Sequence, residues 1–186
     1  MKIGIYIGSF NPPHKGHIKI INYLLNKNYV DKILVIPTGN YWHKQNLVPV
    51  DDRINMVKYY ENDKIIVDTT YNKYKYTYQI LRELVKPYNK KDLYLILGAD
   101  NIIDFHKWDN FNELLTYNIL IMNRNNIDIN SYIKDYPSNK IKIINGFKEI
   151  DISSTKLRND IKYGKDVSDY IDRQILDYII IHKLYK

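Results

Sequence analysis

The segment at residues 2–17, KIGIYIGSFNPPHKGH, constrains the fold more than any other part of this chain. It opens with isoleucine at every second position from Ile3 to Ile7, a pattern typical of a short β-strand. Glycine and two adjacent prolines then interrupt regular structure, and apolar residues at helical spacing beyond His17 predict a helix. A strand, a tight turn and a helix in this order place backbone N–H groups and the positive end of a helix beside a phosphate group.

Two histidines stand at the start of the predicted helix. His14 and His17 are three residues apart, so their side chains share one face of the first turn, where both can donate to phosphate oxygens. Two other interpretations remain open: the pair could be ordinary surface histidines, or it could bind zinc, which normally requires a third protein ligand. The motif in its strand and helix context favours phosphate binding.

The composition limits the classes of protein to consider. The 186 residues are enough for one domain with a sizeable core, and 45% of them are hydrophobic. No apolar run reaches the length of a membrane-spanning helix, and the sequence enters a strand at once without a signal-peptide pattern. The net charge of +7 favours anionic partners, which could be nucleotides or nucleic acid. The absence of cysteine fits an intracellular protein, and we expect a cytoplasmic one with no membrane contact.

Strand and helix patterns alternate along the rest of the chain. After the first strand, short apolar runs predict strands at 32–37, 64–68, 93–97, 119–122 and 141–144. Helical spacing predicts helices at 51–60, with Asp51 as its cap, at 76–85, at about 154–163 and at 173–184. This alternation predicts an α/β fold, namely a single domain at 1–186 with a Rossmann-like, doubly wound parallel sheet and helices on both faces. Ligands of such sheets bind at the carboxyl ends of the strands.

Candidate binding residues follow the predicted fourth strand and precede the helix at 154–163. Gly98 lets a ligand approach the backbone closely, Asp100 can accept hydrogen bonds from ribose hydroxyls, and Trp108 offers a flat ring for stacking or for packing on the next helix. Hydroxyl side chains at Ser153–Thr155, with Arg158 one turn further, form either a simple helix cap or a second phosphate site.

Three motifs together resemble a known family. Gly8-Ser9-Phe10-Asn11-Pro12 with His14-Lys15-Gly16-His17 resembles the signature of the HxGH nucleotidyltransferase superfamily. The pair of Gly98-Ala99-Asp100 and Trp108 resembles the nicotinate mononucleotide adenylyltransferases, and Ile152-Ser153-Ser154-Thr155 with Arg158 resembles the I-S-S-T-x-x-R element of the superfamily. The resemblance runs from residue 2 to about 185 and includes the closing Leu184-Tyr185.

The resemblance implies transfer of AMP from ATP to nicotinate mononucleotide, with Mg²⁺ bridging the ATP phosphates and pyrophosphate leaving. The implied catalytic residues are His14, His17, Lys44 and Arg158. The implied ATP-binding residues are Gly8, Ser9, Phe10, Gly16, Gly98, Asp100, Arg124, Ile152, Ser153, Ser154 and Thr155, with the helices from about 153 completing the phosphate site. The implied mononucleotide-binding residues are Asn40, Lys44, Thr77 and Trp108.

Some of these roles have simpler alternatives. Lys44 could be a solvated surface lysine, and Tyr41-Trp42 nearby departs from the two prolines common in the family. Arg53 also matches the family but could be a structural ion-pair partner, and Thr77 could be only a helix cap. No carboxylate cluster dedicated to a metal ion is evident in the sequence.

Other functions also remain open. Nicotinamide mononucleotide could be the main substrate, or the chain could be a pantetheine-phosphate adenylyltransferase, which shares the first motif. A cytidylyltransferase shares it too, but its usual R-T-x-G-I-S-T-T is not matched. A nucleic-acid-binding protein would explain the basic charge but not three phosphate-site motifs at strand ends. We expect no nucleic-acid partner, and the chain could form a homo-oligomer.

Overall fold

Six short strands rich in isoleucine, leucine and valine form one parallel sheet. The computed structural model describes residues 1–40, 47–123, 127–137, 139–148 and 150–186. Most strand residues are buried, as expected for a parallel sheet covered on both faces. The strands are β1 (Ile3–Gly8), β2 (Lys32–Pro37), β3 (Ile65–Val67), β4 (Leu93–Gly98), β5 (Asn118–Met122) and β6 (Ile141–Ile144).

The strand order places β1 and β4 side by side in the middle of the sheet. The order is β3-β2-β1-β4-β5-β6, and every neighbouring pair is parallel. The winding of the chain therefore reverses between β1 and β4, and ligands of doubly wound sheets bind outside the carboxyl ends of the strands at such a point. Gly8 and Gly98 end these two strands.

Helices cover both faces of the sheet. They are α1 (Lys15–Asn26), α2 (Val50–Lys58), α3 (Thr77–Leu84), α4 (Ala99–Ile102), α5 (Phe111–Leu114), α6 (Ile129–Ile133), α7 (Ser154–Lys162) and α8 (Arg173–Ile181). On one face, Ile5 packs in a cluster with Leu81 of α3. On the other face, Val35 packs in a cluster with Leu24 of α1. Helices α7 and α8 form a third cluster with Met56 of α2, so they extend the second face.

The predicted fold class is confirmed, and each predicted strand is present. The helix predictions are right in place but differ at the ends. Asp51 as the cap of α2 is wrong, because α2 begins at Val50 and its cap residue is Pro49. Asp51 lies in the first turn instead, where a negative charge still favours the helix dipole. Helices α4, α5 and α6 have only four or five residues each, which is too short for a helical period to show in the sequence.

The structure also bears on membrane contact. Among the helices of the described ranges, none combines the length and the apolar character needed to cross a bilayer.

Candidate active site

The turn after β1 is built around the ring of Phe10. Phe10 has a positive φ of 46° and is buried. Its ring lies over Gly8, where an added Cβ would approach it to 3.1 Å, so a side chain at Gly8 would crowd the ring. The same ring meets Tyr6 and His17 edge-on, with centroid distances of 5.5 and 5.1 Å. Phe10 therefore packs against the imidazole of His17 and limits its movement.

The two histidines cap helix α1 together. His14 is the cap residue, with extended backbone, and its Nδ1 accepts a hydrogen bond from the Gly16 amide at 3.2 Å. The His14 amide in turn donates to Nδ1 of His17 at 3.2 Å. The two rings lie 3.8 Å apart between centroids. Because each Nδ1 accepts from the backbone, the neutral form of each ring carries its proton on Nε2, which is the atom that can donate.

Gly16 is required by this cap. A Cβ at Gly16 would lie 2.9 Å from atoms of the His14 ring, closer than packed atoms tolerate. Sterics therefore explain why glycine stands between lysine and histidine in His-Lys-Gly-His. An imidazole cap is bulkier than the usual hydroxyl or carboxylate cap and leaves no space for a side chain at this position.

The beginning of α7 is attached to the same turn. The hydroxyl of Ser153 caps α7 by accepting from the Lys156 amide at 3.2 Å, and the hydroxyl of Ser154 donates to the Pro12 carbonyl at 2.9 Å. Arg158 donates from Nη1 to the Asn11 carbonyl at 2.9 Å. Two helix N-termini, each with a partial positive charge, thus converge on one turn.

Two cavities flank His17, which lines both of them. The first cavity, of about 530 Å³, lies beyond the ends of β1 and β4. Its lining includes Gly8, Ser9, Phe10, Thr38, Tyr74, Lys75, Tyr76, Thr77, Gly98, Asn101, Lys107, Trp108 and Asp109. The second cavity, of about 280 Å³, lies between the N-termini of α1 and α7. Its lining includes His14, Gly16, Asp100, Phe147, Asp151, Ile152, Ser153, Ser154 and Lys156.

The structure divides the predicted site residues between these cavities. The second cavity brings together His14, Gly16, Asp100 and Ile152–Ser154, all of which we expect at the ATP phosphates or ribose. The first cavity is lined by four other residues that we expect at ATP, namely Gly8, Ser9, Phe10 and Gly98. Thr77 and Trp108 line the same cavity. The predicted ATP residues therefore span both cavities rather than one.

Other predicted residues lie away from the cavity walls. Asn40 accepts at Oδ1 from Arg53 at 2.8 Å, so its amide serves the scaffold. Thr155 accepts at Oγ1 from Nη2 of Arg158 at 3.2 Å, and neither residue is part of a cavity lining within the described ranges. The predictions for Lys44 and Arg124 fall on residues outside those that the structure describes.

Two of the simpler alternatives can be judged from the structure. Thr77 is the first residue of α3, and the cap residue is Tyr76, so the interpretation of Thr77 as a helix cap is wrong. Trp108 both packs and lines a cavity: its ring meets Phe105 edge-on at 5.2 Å, and it is only half-buried. The packing interpretation and the stacking interpretation of Trp108 are therefore compatible.

The interpretation of the histidine pair as a zinc site can be compared with the side chains around it. Among the residues that the structure describes, no group of three or more histidine, cysteine, aspartate or glutamate side chains could hold a metal ion. His14 and His17 each use one ring nitrogen to accept from the backbone instead.

Comparison with known proteins identifies the family. The cytidylyltransferase-like family model matches residues 5–160. A relative from Fusobacterium nucleatum, named "Probable nicotinate-nucleotide adenylyltransferase", is 36% identical over 94% of this chain and 95% of its own length. A relative of the same name from Clostridium tetani is 33% identical over 100% of this chain and 99% of its own length.

A solved structure with similar coverage agrees with these relatives. The Plasmodium falciparum nicotinic acid mononucleotide adenylyltransferase, complexed with NaAD, has a TM-score of 0.84 and 28% identity over 99% of this chain and 97% of its own. The chain belongs to the nicotinate-nucleotide adenylyltransferase family. The resemblance of its three motifs to this family is thereby confirmed.

Sequence reasoning missed the main structural role of one arginine in this adenylyltransferase. Arg53 is 0% exposed and donates to the carbonyls of Ser9 at 2.7 Å, Val48 at 3.2 Å and Thr38. Burial lowers its pKa. Its partners among the described residues are these backbone oxygens and Oδ1 of Asn40, and within that part of the chain it forms no ion pair with a carboxylate. A buried guanidinium with several donors can hold several carbonyls at once, and Arg53 ties the segments after β1 and β2 together.

Sequence reasoning also missed cavity-lining residues of this adenylyltransferase. Lys75 and Lys107 line the first cavity, and Asp151 and Lys156 line the second. Each of the four lies within two residues of a predicted site residue. A charged residue in a loop or in the first turn of a helix is usually solvated, so its charge alone did not indicate that it would line a cavity.

Proposed function

We propose that the two cavities hold the two substrates of this adenylyltransferase, with His17 at the point where they react. Nicotinate mononucleotide occupies the first cavity, its pyridine ring against Trp108 and its phosphate directed toward the turn after β1. The ATP phosphates occupy the second cavity, between the N-termini of α1 and α7. The observation that carries this assignment is that His17 lines both cavities.

The reaction needs positioning and charge stabilisation rather than a protein nucleophile. A phosphate oxygen of the mononucleotide attacks the α-phosphorus of ATP, the bond from that phosphorus to the bridging oxygen breaks, and pyrophosphate leaves. His14 and His17, with Nδ1 committed to the backbone, donate from Nε2 to the oxygens that gain negative charge. The partial positive charge at the two helix N-termini contributes in the same direction.

Magnesium enters this proposal with ATP. When bound, the ion would neutralise part of the negative charge on the ATP phosphates, and it would keep several waters because Mg²⁺ dehydrates reluctantly. Asp100 and Asp151 are the carboxylates on the wall of the second cavity, and they fit oxygen ligands reached directly or through water.

The relatives support the acid substrate. The Plasmodium falciparum structure holds NaAD, the dinucleotide that transfer of AMP to nicotinate mononucleotide would form. We place the reaction in the cytoplasm because a chain without cysteine suits a reducing compartment. Association into a homo-oligomer stays a prediction, to be checked by the mass of the protein in solution.

The test is pyrophosphate release by purified protein with ATP and Mg²⁺. We expect turnover with nicotinate mononucleotide and much less with nicotinamide mononucleotide, with phosphopantetheine, or with CTP in place of ATP. Turnover with phosphopantetheine and none with either pyridine mononucleotide would overturn the proposal.

A further inference from the structure

The chain beyond α8 folds back onto the turn that carries the histidine pair. Lys183 and Tyr185 both have positive φ, of 52° and 63°, so the backbone bends sharply after α8. The bend turns the side chain of Tyr185 inward, and its hydroxyl donates to Oδ1 of Asn11 at 3.0 Å. A residue 174 positions away in sequence thus contacts the first motif directly.

Asn11 is the meeting point of three parts of the molecule. It is 1% exposed. Its Oδ1 accepts from Tyr185 and also from the Val48 amide at 3.3 Å, and its backbone carbonyl accepts from Arg158 at 2.9 Å. Asn11 therefore joins the chain after α8, the segment before α2 and the first turn of α7 to the turn after β1.

Tyr185 remains a hydrogen-bond donor at neutral pH. Burial raises the pKa of its hydroxyl above the ordinary value, more than nearby Arg158 and Arg53 lower it. A buried hydroxyl without a partner is costly, so the bond to Asn11 fixes both side chains.

We infer that Tyr185 is a positioning residue for nucleotidyl transfer, which holds Asn11 and through it the turn that places His14 and Arg158. The inference rests on the proposed function, since it concerns the placement of groups that act on the phosphates. Asn11 lies three residues before His14, and its backbone carbonyl accepts the hydrogen bond from Arg158. Loss of the hydroxyl removes the shorter of the two described hydrogen bonds to Oδ1 of Asn11, so the turn can shift against α7.

The experiment compares Tyr185→Phe with Tyr178→Phe. Tyr178 lies on α8 and donates to Asp52 on α2 at 2.8 Å, so it also links the C-terminal helix to the body but does not contact the turn. Each variant removes one hydroxyl from a partly buried tyrosine and keeps the ring. Steady-state kinetics with ATP and nicotinate mononucleotide, each varied in turn, are measured well below the melting temperature of either variant.

We expect kcat to fall about tenfold in Tyr185→Phe, because small misplacements of reacting groups are costly in rate, while the Michaelis constant for the mononucleotide hardly changes. Tyr178→Phe should keep kcat within about twofold, although it loses thermal stability as well, because its hydroxyl donates to Asp52 and accepts from Asn55. Equal kcat values in the two variants would overturn the inference, whether both are unchanged or both reduced.

A second measurement tests the route through Asn11. If Tyr185 acts through Asn11, then adding Tyr185→Phe to Asn11→Ala should lower kcat by no more than about twofold further, because the two changes remove one interaction. A full additional tenfold loss would show that Tyr185 acts by another route. An inactive wild-type protein would instead contradict the proposed function, so the two failures are distinguishable.

Discussion

The N-termini of α1 and α7 face one cavity, but they are capped in different ways. Helix α1 is capped by the buried imidazole of His14, whose ring stacks beside His17 and leaves no room for a side chain at Gly16. Helix α7 is capped by the exposed hydroxyl of Ser153, the commonest kind of helix cap.

The N-terminus of α1 therefore has an uncommon cap with titratable rings, whereas the N-terminus of α7 has a common hydroxyl cap. In α1 the capping hydrogen bonds also fix which ring nitrogens carry protons, so structure and chemistry use the same two side chains. In α7 the oxygen of the capping hydroxyl accepts from the backbone, and we propose that the amide groups and Arg158 are the groups that act on the phosphates there. We therefore expect substitutions in the α1 cap to affect turnover and those in the α7 cap to affect mainly stability.

The largest expected effect is that of His17→Ala. Removing one preorganised donor from charge that develops in the transition state lowers kcat by about 10²–10³. Steady-state turnover with both substrates saturating measures this effect. His106→Ala is the matched control, because His106 is an exposed histidine outside both cavity linings. A folded His17→Ala protein with near-normal turnover would make the α1 terminus purely structural.

Arg158→Ala should come next. The loss of a charged donor bonded to the turn after β1 is expected to lower kcat/KM for ATP by about ten- to a hundredfold, since hydrogen bonds to charged groups contribute about 1.5–3 kcal/mol. Arg158→Lys should recover only part of the loss, because lysine lacks the planar fork that reaches Asn11 and Thr155 together. Arg173→Ala serves as the control, because Arg173 is an exposed arginine on α8. Unchanged kinetics for ATP would reduce Arg158 to a structural tie.

Trp108→Ala tests the first cavity. Stacking on an aromatic side chain contributes about 1–3 kcal/mol, so the Michaelis constant for the mononucleotide should rise about tenfold. The constant for ATP should barely change, and Trp108→Phe should retain most of the affinity because it keeps a ring face. Equal increases for both substrates, with a large loss of melting temperature, would show that the contact with Phe105 is the main role of Trp108.

Ser153→Ala should have the smallest effect on turnover. Loss of the hydroxyl cap of α7 is expected to lower the free energy of unfolding by about 1 kcal/mol, with kcat changed by no more than about threefold. Urea unfolding of Ser153→Ala and Ser153→Asn measures the first quantity, because asparagine restores a cap. A fall in kcat as large as that of His17→Ala would erase the contrast between the two termini.

The sequence predicts much of the fold because apolar strands and helical periods are local patterns. The turn at Gly8–His17 and the hydroxyl run at Ser153–Thr155 were also visible, since glycine, proline and capping residues act on their own neighbourhood. The order of the strands was not predicted, because pairing between strands distant in sequence leaves no local pattern. The same limit applies to the contact between Tyr185 and Asn11, which only the folded chain brings together.

The site shows a second limit. The family resemblance implied a substrate contact for Asn40, and Arg53 also matched the family, but neither observation could indicate that the two residues contact each other. Gly8 and Gly98 end neighbouring strands and so line the same cavity, an arrangement that the sequence does not show. The cavity that a residue lines depends on the spatial arrangement of the strands, which is a property of the whole sheet.

The position of His17 between two cavities has a consequence for the design of inhibitors. A compound with one fragment in each cavity would have to pass this imidazole, so the linker between the fragments would run along a short and defined path. Once the first fragment is bound, the second would meet its cavity at a high effective concentration, and weak fragments could combine into a tight ligand. A linker that accepts a hydrogen bond from the ring would add a contact that neither fragment makes alone.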